Sequence, residues 1–376
     1  MSKHKTPTRK TAPSADHATH DSEAAAQELA GLALDCARRK TPAAELARAV
    51  RRNLLDHHDD VLYDALEQAR SMADRAFPLL RDTVEEHSAV VLLRREGASD
   101  LEINAFAIPV FVRSQGGLKA EQGFQDQEAY DALLDSVTKA GLESPKAKVV
   151  LVQHWYDLAE AERLTYSRLH GIVREAGAAL SDKKLRPVPL LEQSMSGGWA
   201  PPPFAPGDTA VELRFLLGFA LKRADDPFYA VPKDEALADV YFEQRMASFR
   251  AWSASAAPLV ARLFAPHGAD LELNFLYQDL FHGALAQARS ELFVLQLLSD
   301  VNSACEATGC ATADAQASAE LIEDEGEAVL RVQVAGPDSA VLAAAEKLLD
   351  PDADVAGELA DIEDALSTIG VSFSKP

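Results

Sequence analysis

The sequence predicts an α/β (or α+β) protein: mixed sheets from two similar β-α-β-α halves, an N-terminal helical subdomain, and a C-terminal β-hairpin plus helices. Three observations predict it. First, an apolar strand ending in Asp-Leu and opening a long helix is written twice. One copy runs from Val149 through His154, Trp155 and Asp157 to Leu158; the other runs from Leu271 through Tyr277 and Asp279 to Leu280. Second, apolar residues ahead of these copies recur at helical spacing (Ala25, Leu29, Leu32, Cys36, then Leu46, Val50, Leu54). Third, the C-terminal part alternates apolar and polar residues on both sides of an Asp324-Glu325-Gly326-Glu327 turn.

Taken in order, residues 1–22 carry almost no large apolar side chains and are expected to be a disordered tail. Lys3, Lys5, Arg9 and Lys10 make it mildly basic, and it lacks the apolar stretch of a Sec-type signal. Residues 23–97 read as the helical subdomain, with Thr41-Pro42 as a helix start and a fourth helix running from Pro78 to about Glu96. The pair His57-His58 beside Asp59-Asp60 reads as a surface turn, because adjacent side chains at a helix start point apart.

The first β-α-β-α half spans residues 98–180: a strand Glu102–Arg113, a helix Asp126–Ala140 stopped by Gly141, a strand Lys148–Trp155, and a helix Leu158–Leu180. Pro109 inside its first strand argues for an edge or a bulge. A Pro/Gly-rich connecting loop, residues 181–208, holds Trp199 and Phe204, two aromatics costly to leave in water. The second half, residues 209–310, has a strand Val211–Leu221, a helix Asp234–Phe264, the Leu271 strand and a helix Leu280–Ala307. In the Asp234–Phe264 helix, Phe242, Met246, Phe249, Ser253, Ala256, Val260 and Leu263 form a coiled-coil-like seam. Residues 311–376 follow as an acidic hairpin, a helix from Asp338 to Leu349, a second helix over Gly357–Ser367 and a short strand at Val371–Phe373.

Composition narrows function. The net charge of −22 argues against nucleic acid, whose phosphates need clustered Lys and Arg. From Glu306 onward sixteen acidic residues face three basic ones, a solvated face or a surface for a basic partner. No stretch has the uncharged length of a membrane span. Three cysteines make no disulfide framework, which favours a reducing, cytoplasmic setting. The Ala- and Arg-rich, Lys-poor usage reads as bacterial.

With parallel strands in each half, their C-terminal ends would share one rim, where α/β sheets bind ligands. Arg113, Gly116, Gly117, His154, Trp155, Asp157, Arg223, Asp225, Asp226, Asp279 and His282 would gather there, with Trp199 from the loop. A histidine oriented by a carboxylate is the minimum for proton transfer, so His154, Asp157, Asp279 and His282 are the catalytic candidates. Asp157 and Asp279 read first as helix N-caps that accept from backbone N–H groups. Arg113, Gly116, Gly117, Arg223, Asp225, Asp226, Trp155 and Trp199 are the ligand-binding candidates. Neither phosphate-cradling glycine motif nor a nucleophile elbow is written here, and Cys305-x4-Cys310 lacks a second pair, so no cofactor and no metal is expected. The expectation is a cytoplasmic, non-enzymatic protein-interaction or regulatory module that binds a protein partner. The alternatives are a hydrolase or transferase at the strand ends, and an effector exported through its N-terminal tail. The sequence leaves the oligomeric state open.

Overall fold

The structure, a computed structural model, describes residues 15–72, 75–115, 124, 126–156, 158, 161, 163–181, 211–264, 270–276, 281–324 and 327–374, without the side chains of 15–21, 114–115, 153–155, 264 and 270. The chain is α/β. It divides into two compact units, Met1–His87 and Ser88–Pro376.

The first unit is helical. Helices α1 (Ala15–Ala37), α2 (Ala43–Leu55) and α3 (Asp59–Arg70) are followed by α4 (Ala76–Ala89), whose last two residues belong to the second unit. Helix α1 begins inside the segment expected to be a tail, and residues 1–14 lie outside the described residues. Apolar stripes at i, i+3 and i+4 turn inward: Ala26, Leu29, Ala30 and Ala33 from α1, Leu46, Val50 and Leu54 from α2, and Val61, Leu62 and Ala65 from α3. The Ser22 hydroxyl donates to Asp60 at 2.7 Å, and His57 takes a left-handed φ of 58° in the turn before α3.

The second unit holds two sheets. In chain order it contains β1 (Val90–Leu93), β2 (Leu101–Gln115), α5 (Gln127–Lys139), β3 (Lys148–Tyr156), α6 (Tyr166–Ser181), β4 (Val211–Arg223), α7 (Glu235–Phe264), β5 (Asp270–Phe275) and α8 (Phe281–Thr308). Then come β6 (Gln316–Asp324), β7 (Glu327–Ala335), β8 (Val341–Leu348), α9 (Val355–Thr368) and β9 (Ser372–Ser374). Strand–helix–strand–helix thus occurs twice, as β2-α5-β3-α6 and β4-α7-β5-α8.

The larger sheet interleaves these two sets. Strands β2 and β4 form its antiparallel centre, paired from Leu101↔Arg223 to Arg113↔Val211. Each set then lends its second strand to the other: β3 pairs with β4, and β5 pairs with β2. The order β5-β2-β4-β3, antiparallel at every step, is that of a ferredoxin-like sheet of split β-α-β units, with α6 and α8 as additional helices. Alternate residues of β2 serve the two faces. Ile103, Ala105, Ala107 and Phe111 pack with α6 and α8; Phe106, Ile108, Val110 and Val112 pack with α5 and α7. The central strands are covered on both faces, so they read as nearly continuous apolar runs.

Two details explain residues that look out of place. Strand β1 pairs with β2 over residues 101–104 and β5 over residues 110–115, so β2 residues 105–109 face a notch between them. Pro109 sits there, and its carbonyl accepts from the Leu276 N–H at 3.0 Å. The N and O of one strand residue point the same way, so the missing N–H of Pro109 faces the notch and removes no bond to β4. In β3 the register slips between Leu151↔Gly218 and Trp155↔Leu216. At that slip the Tyr130 hydroxyl donates to the Leu151 carbonyl at 2.7 Å and accepts from the Leu151 N–H at 3.3 Å. A buried backbone pair left open by a bulge is thereby satisfied from α5.

The smaller sheet is mixed, ordered β8-β7-β6-β9, with β6 and β9 parallel and the other pairs antiparallel. Helix α8 joins the two sheets: Phe281, Ala284, Leu285 and Ala288 pack on the larger one, and Leu297, Val301 and Cys305 on the smaller one.

Several elements differ from expectation. The helix expected to reach Glu96 stops at Ala89, and Val90–Leu93 is strand β1. The segment expected as a helix from Asp338 to Leu349 is instead strand β8. Both are short apolar stretches whose local preference yields to an available neighbouring strand. The helix expected from Leu158 is broken: Leu158 and Ala161 are helical, residues 163–165 are not, and α6 begins at Tyr166.

Candidate functional site

The interleaved pairing decides where the candidate residues go. Strands β2 and β3 run one way and β4 and β5 the other, so the single shared rim expected from parallel strands does not form. Arg113 stands opposite Val211 at the last β2–β4 pair, whereas Arg223 ends β4 opposite Leu101. Leu101 and Arg113 are twelve positions apart on one strand, so the two arginines stand about 40 Å from each other at roughly 3.3 Å per residue. Gly116, Gly117, Asp157, Trp199 and Asp279 lie outside the described residues. His154 and Trp155 lie on β3, His154 within the bulged stretch, and their side chains are outside the description.

At the β2 end, Arg113 is an exposed strand residue paired across the edge with Glu272, 3.6 Å away. Two exposed ions of this kind gain little from pairing in water.

The β4 end is more organised. Arg223 grips Asp225 with two hydrogen bonds, 2.9 and 2.7 Å, and the pairing holds the Asp225 carboxyl below its ordinary range. Asp226 accepts from the Phe228 N–H at 3.1 Å, capping a 3-10 turn at Pro227–Tyr229, and from the Ser144 hydroxyl at 2.9 Å. Those bonds lower its pKa, the backbone one most. The turn places Tyr229 so that its hydroxyl donates to Glu143 at 2.6 Å and accepts from the Ser144 N–H at 3.0 Å. Burial, then the Glu143 charge, pushes the phenol far up, so it stays protonated. Lys222 lies 3.8 Å from the centre of the Tyr229 ring and 3.4 Å from Glu102. The bonds of Asp226 and Tyr229 to Glu143 and Ser144 fasten the loop after α5 to the end of β4, whereas Arg223 pairs within that end and Lys222 with Glu102 of β2.

His282 is placed differently. It enters on the first turn of α8, and its Nε2 lies 2.8 Å from the hydroxyl of Ser88, which is fully buried. The Tyr166 ring is tilted against it with centroids 5.4 Å apart, and Phe281 meets it edge-on. Burial, with a smaller contribution from Arg289, lowers its pKa from 6.5 to about 4, so the ring is neutral at pH 7. A neutral imidazole bonded to a serine hydroxyl is the pairing by which a nucleophile is activated. Ser88 attracts no notice in the sequence, since it lies in a helix end 194 positions from its partner.

Among the described residues no group of three or more His, Cys, Asp or Glu is placed to hold a metal ion, and no helix is long and apolar enough to cross a membrane. The remaining feature of note is α7. Its second half is buried through Phe249, Trp252, Ala256, Val260 and Leu263, but residues 235–248 contain no buried side chain. Leu237 is 59% exposed, Phe242 49%, Val240 46% and Met246 40%. Of the seam expected from Phe242 to Leu263, Phe242 and Met246 are exposed and burial begins at Phe249.

No protein-family model, curated protein or solved structure matches the chain.

Proposed function

We propose that the chain is a non-enzymatic protein-interaction or regulatory module, working in a bacterial cytoplasm, whose docking element is the first half of α7. The observation that carries this reading is the exposed pair Phe242 and Met246, which share one side of the helix at i and i+4, with Leu237 and Val240 exposed on the other side. Asp234, Glu235, Asp239 and Glu243 lie among them. The fitting partner is therefore a protein segment with apolar side chains ringed by Lys or Arg. The organised polar groups at the β4 end support the same reading, because their bonds serve the fold. In the test, a photo-crosslinker at Phe242 is compared with one at exposed Glu306, and Met246→Asp, on the same side of the helix as Phe242, serves as the binding variant. The expected result is one partner of basic sequence, captured at Phe242, lost in the variant and weakened by salt. An absence of any partner that depends on these residues would sink the reading.

A second reading is a hydrolase or transferase, and the Ser88–His282 pair is what favours it. This reading rests on that pair alone and not on a rim shared by all strand ends. A fluorophosphonate probe that labels wild type but not Ser88→Ala or His282→Gln would support it; equal labelling of all three would remove it.

A further inference from the structure

We propose that Cys305 and Cys310 are an oxidation site: hydrogen peroxide converts this thiol pair to an intramolecular disulfide that closes the C-terminal end of α8. The inference is independent of the docking role of α7.

The geometry follows from how the helix stops. Gly309 takes a left-handed φ of 69°, and the Cys310 N–H donates back to the Cys305 carbonyl at 3.1 Å. That six-residue bond around a left-handed glycine is a Schellman ending, which folds the residue after the glycine over the residue five before it. In most such endings the two meeting side chains are a pair of hydrocarbons. Here both are cysteines, at the two positions that this ending brings together. The pairing thus occupies the place of an apolar contact, with reactive atoms in it.

The two sulfurs are unequal. Cys305 is 4% exposed and belongs to the core under the smaller sheet, with Leu297, Val301 and Val332; burial raises its thiol pKa. Cys310 is only half-buried, and its thiol points to the Ala311 carbonyl at 3.4 Å. Peroxide therefore meets Cys310 first. The Cys310 thiolate attacks the O–O bond, forming Cys310–SOH and releasing hydroxide. The Cys305 sulfur then attacks that sulfenic sulfur; the S–S bond forms and water leaves. In sum two thiols and one peroxide give one disulfide and two waters, and a small-molecule dithiol reverses the change.

The bond would lock a corner with reach. The next residues form a 3-10 turn at Thr312–Asp314, where the Thr312 hydroxyl donates to the Ile369 carbonyl at 2.6 Å. The Ser372 N–H donates to Ala315 at 3.3 Å, so α8, β6 and β9 all meet beside the pair.

Cys36 supplies an internal control. It is a third free thiol, buried in the first unit, with its sulfur 3.7 Å from the Pro42 carbonyl. The full-length protein is treated with hydrogen peroxide, unfolded, alkylated and mapped by mass spectrometry. The reduced protein takes three alkyl groups. The oxidised protein is expected to take one, at Cys36, to be lighter by two hydrogens before alkylation, and to yield a 305–310 cross-linked peptide that dithiothreitol opens. Cys305→Ala is expected to stop at a dimedone-reactive Cys310 sulfenic acid, and Cys310→Ser to leave Cys305 reduced. Three alkyl groups after oxidation, a cross-link between two chains, or direct passage to sulfinic acid would each overturn the proposal.

Discussion

The hydroxyl of Ser88 and Nε2 of His282 meet at 2.8 Å across 194 positions of sequence, tying the end of α4 to the first turn of α8. Val90, two residues after Ser88, opens β1, and α8 follows β5. The bond therefore joins the elements that flank the notch on the outer side of β2, and a neutral ring is needed where Arg289 and burial both oppose a proton.

That requirement sets a pH dependence. Folded, the imidazole titrates at about 4; unfolded, near 6.5. Between those values the unfolded chain binds the extra proton, so stability is whole above pH 6.5 and declines as pH falls towards 4, by roughly 3 kcal/mol at most. Urea midpoints for wild type and His282→Gln at pH 7.5 and 4.5 check this. Wild type is expected to lose more on acidification than the variant; parallel losses would show that the ring is not the titrating group.

A second expectation concerns the centre of the sheet. A Cβ on Gly218 would stand 2.2 Å from the Phe106 ring and 2.8 Å from a Leu151 methyl, so the space over this glycine is filled from both neighbouring strands. Gly218→Ala is expected to cost about 1–3 kcal/mol by overpacking. Part of it should return in Gly218→Ala with Phe106→Leu, a non-additivity that denaturant melts would detect.

Trp252 offers a third check. Its ring is buried between Phe249 and Phe275, and its Nε1–H donates to the Ser136 hydroxyl at 2.8 Å, joining α7 to α5. Trp252→Ala is expected to destabilise by about 3–5 kcal/mol. Trp252→Phe keeps much of the burial and loses the hydrogen bond, so it should cost clearly less, about 1–2 kcal/mol. Equal costs would mean that packing area is not what the ring contributes.

Helix α7 supplies its own contrast. Phe242→Ser and Leu237→Ser remove side chains that are 49% and 59% exposed, Phe242 meeting the Tyr241 ring of its own helix, and are expected to change stability by no more than about 0.5 kcal/mol. Phe249→Ala, one helical turn past Met246 and buried, should cost about 3–5 kcal/mol. If the Phe242 and Phe249 substitutions proved equally costly in thermal melts, the first half of the helix would be part of the fold's interior and not a docking surface.

Much of the architecture was legible in residues alone. Alternation in Leu213, Phe215, Leu217 and Phe219 marks one face of β4, and those residues do pack together beneath α6 and α8. Asp126 and Gly141 bracket α5 as N-cap and stop signal: the Asp126 carboxylate accepts from the Ala129 N–H at 2.8 Å, and Gly141 has φ 73°. The candidate site was far less legible. Arg113 and Arg223 both lie towards the C-terminal ends of their strands, and nothing local says that those strands run in opposite directions.

What the chain's own pattern determined is the succession of strands and helices and the face each one hides, because hydrophobic period and backbone sterics act within a few residues. What tertiary structure decided is everything that needs a distant partner. Strand direction and neighbour order set the two rims apart, the edge of β7 drew an alanine-rich segment into β8, and the approach of α8 to the end of α4 brought His282 to Ser88. Hydrogen bonds between strands and the burial of polar groups are satisfied between segments, so no single segment carries that information.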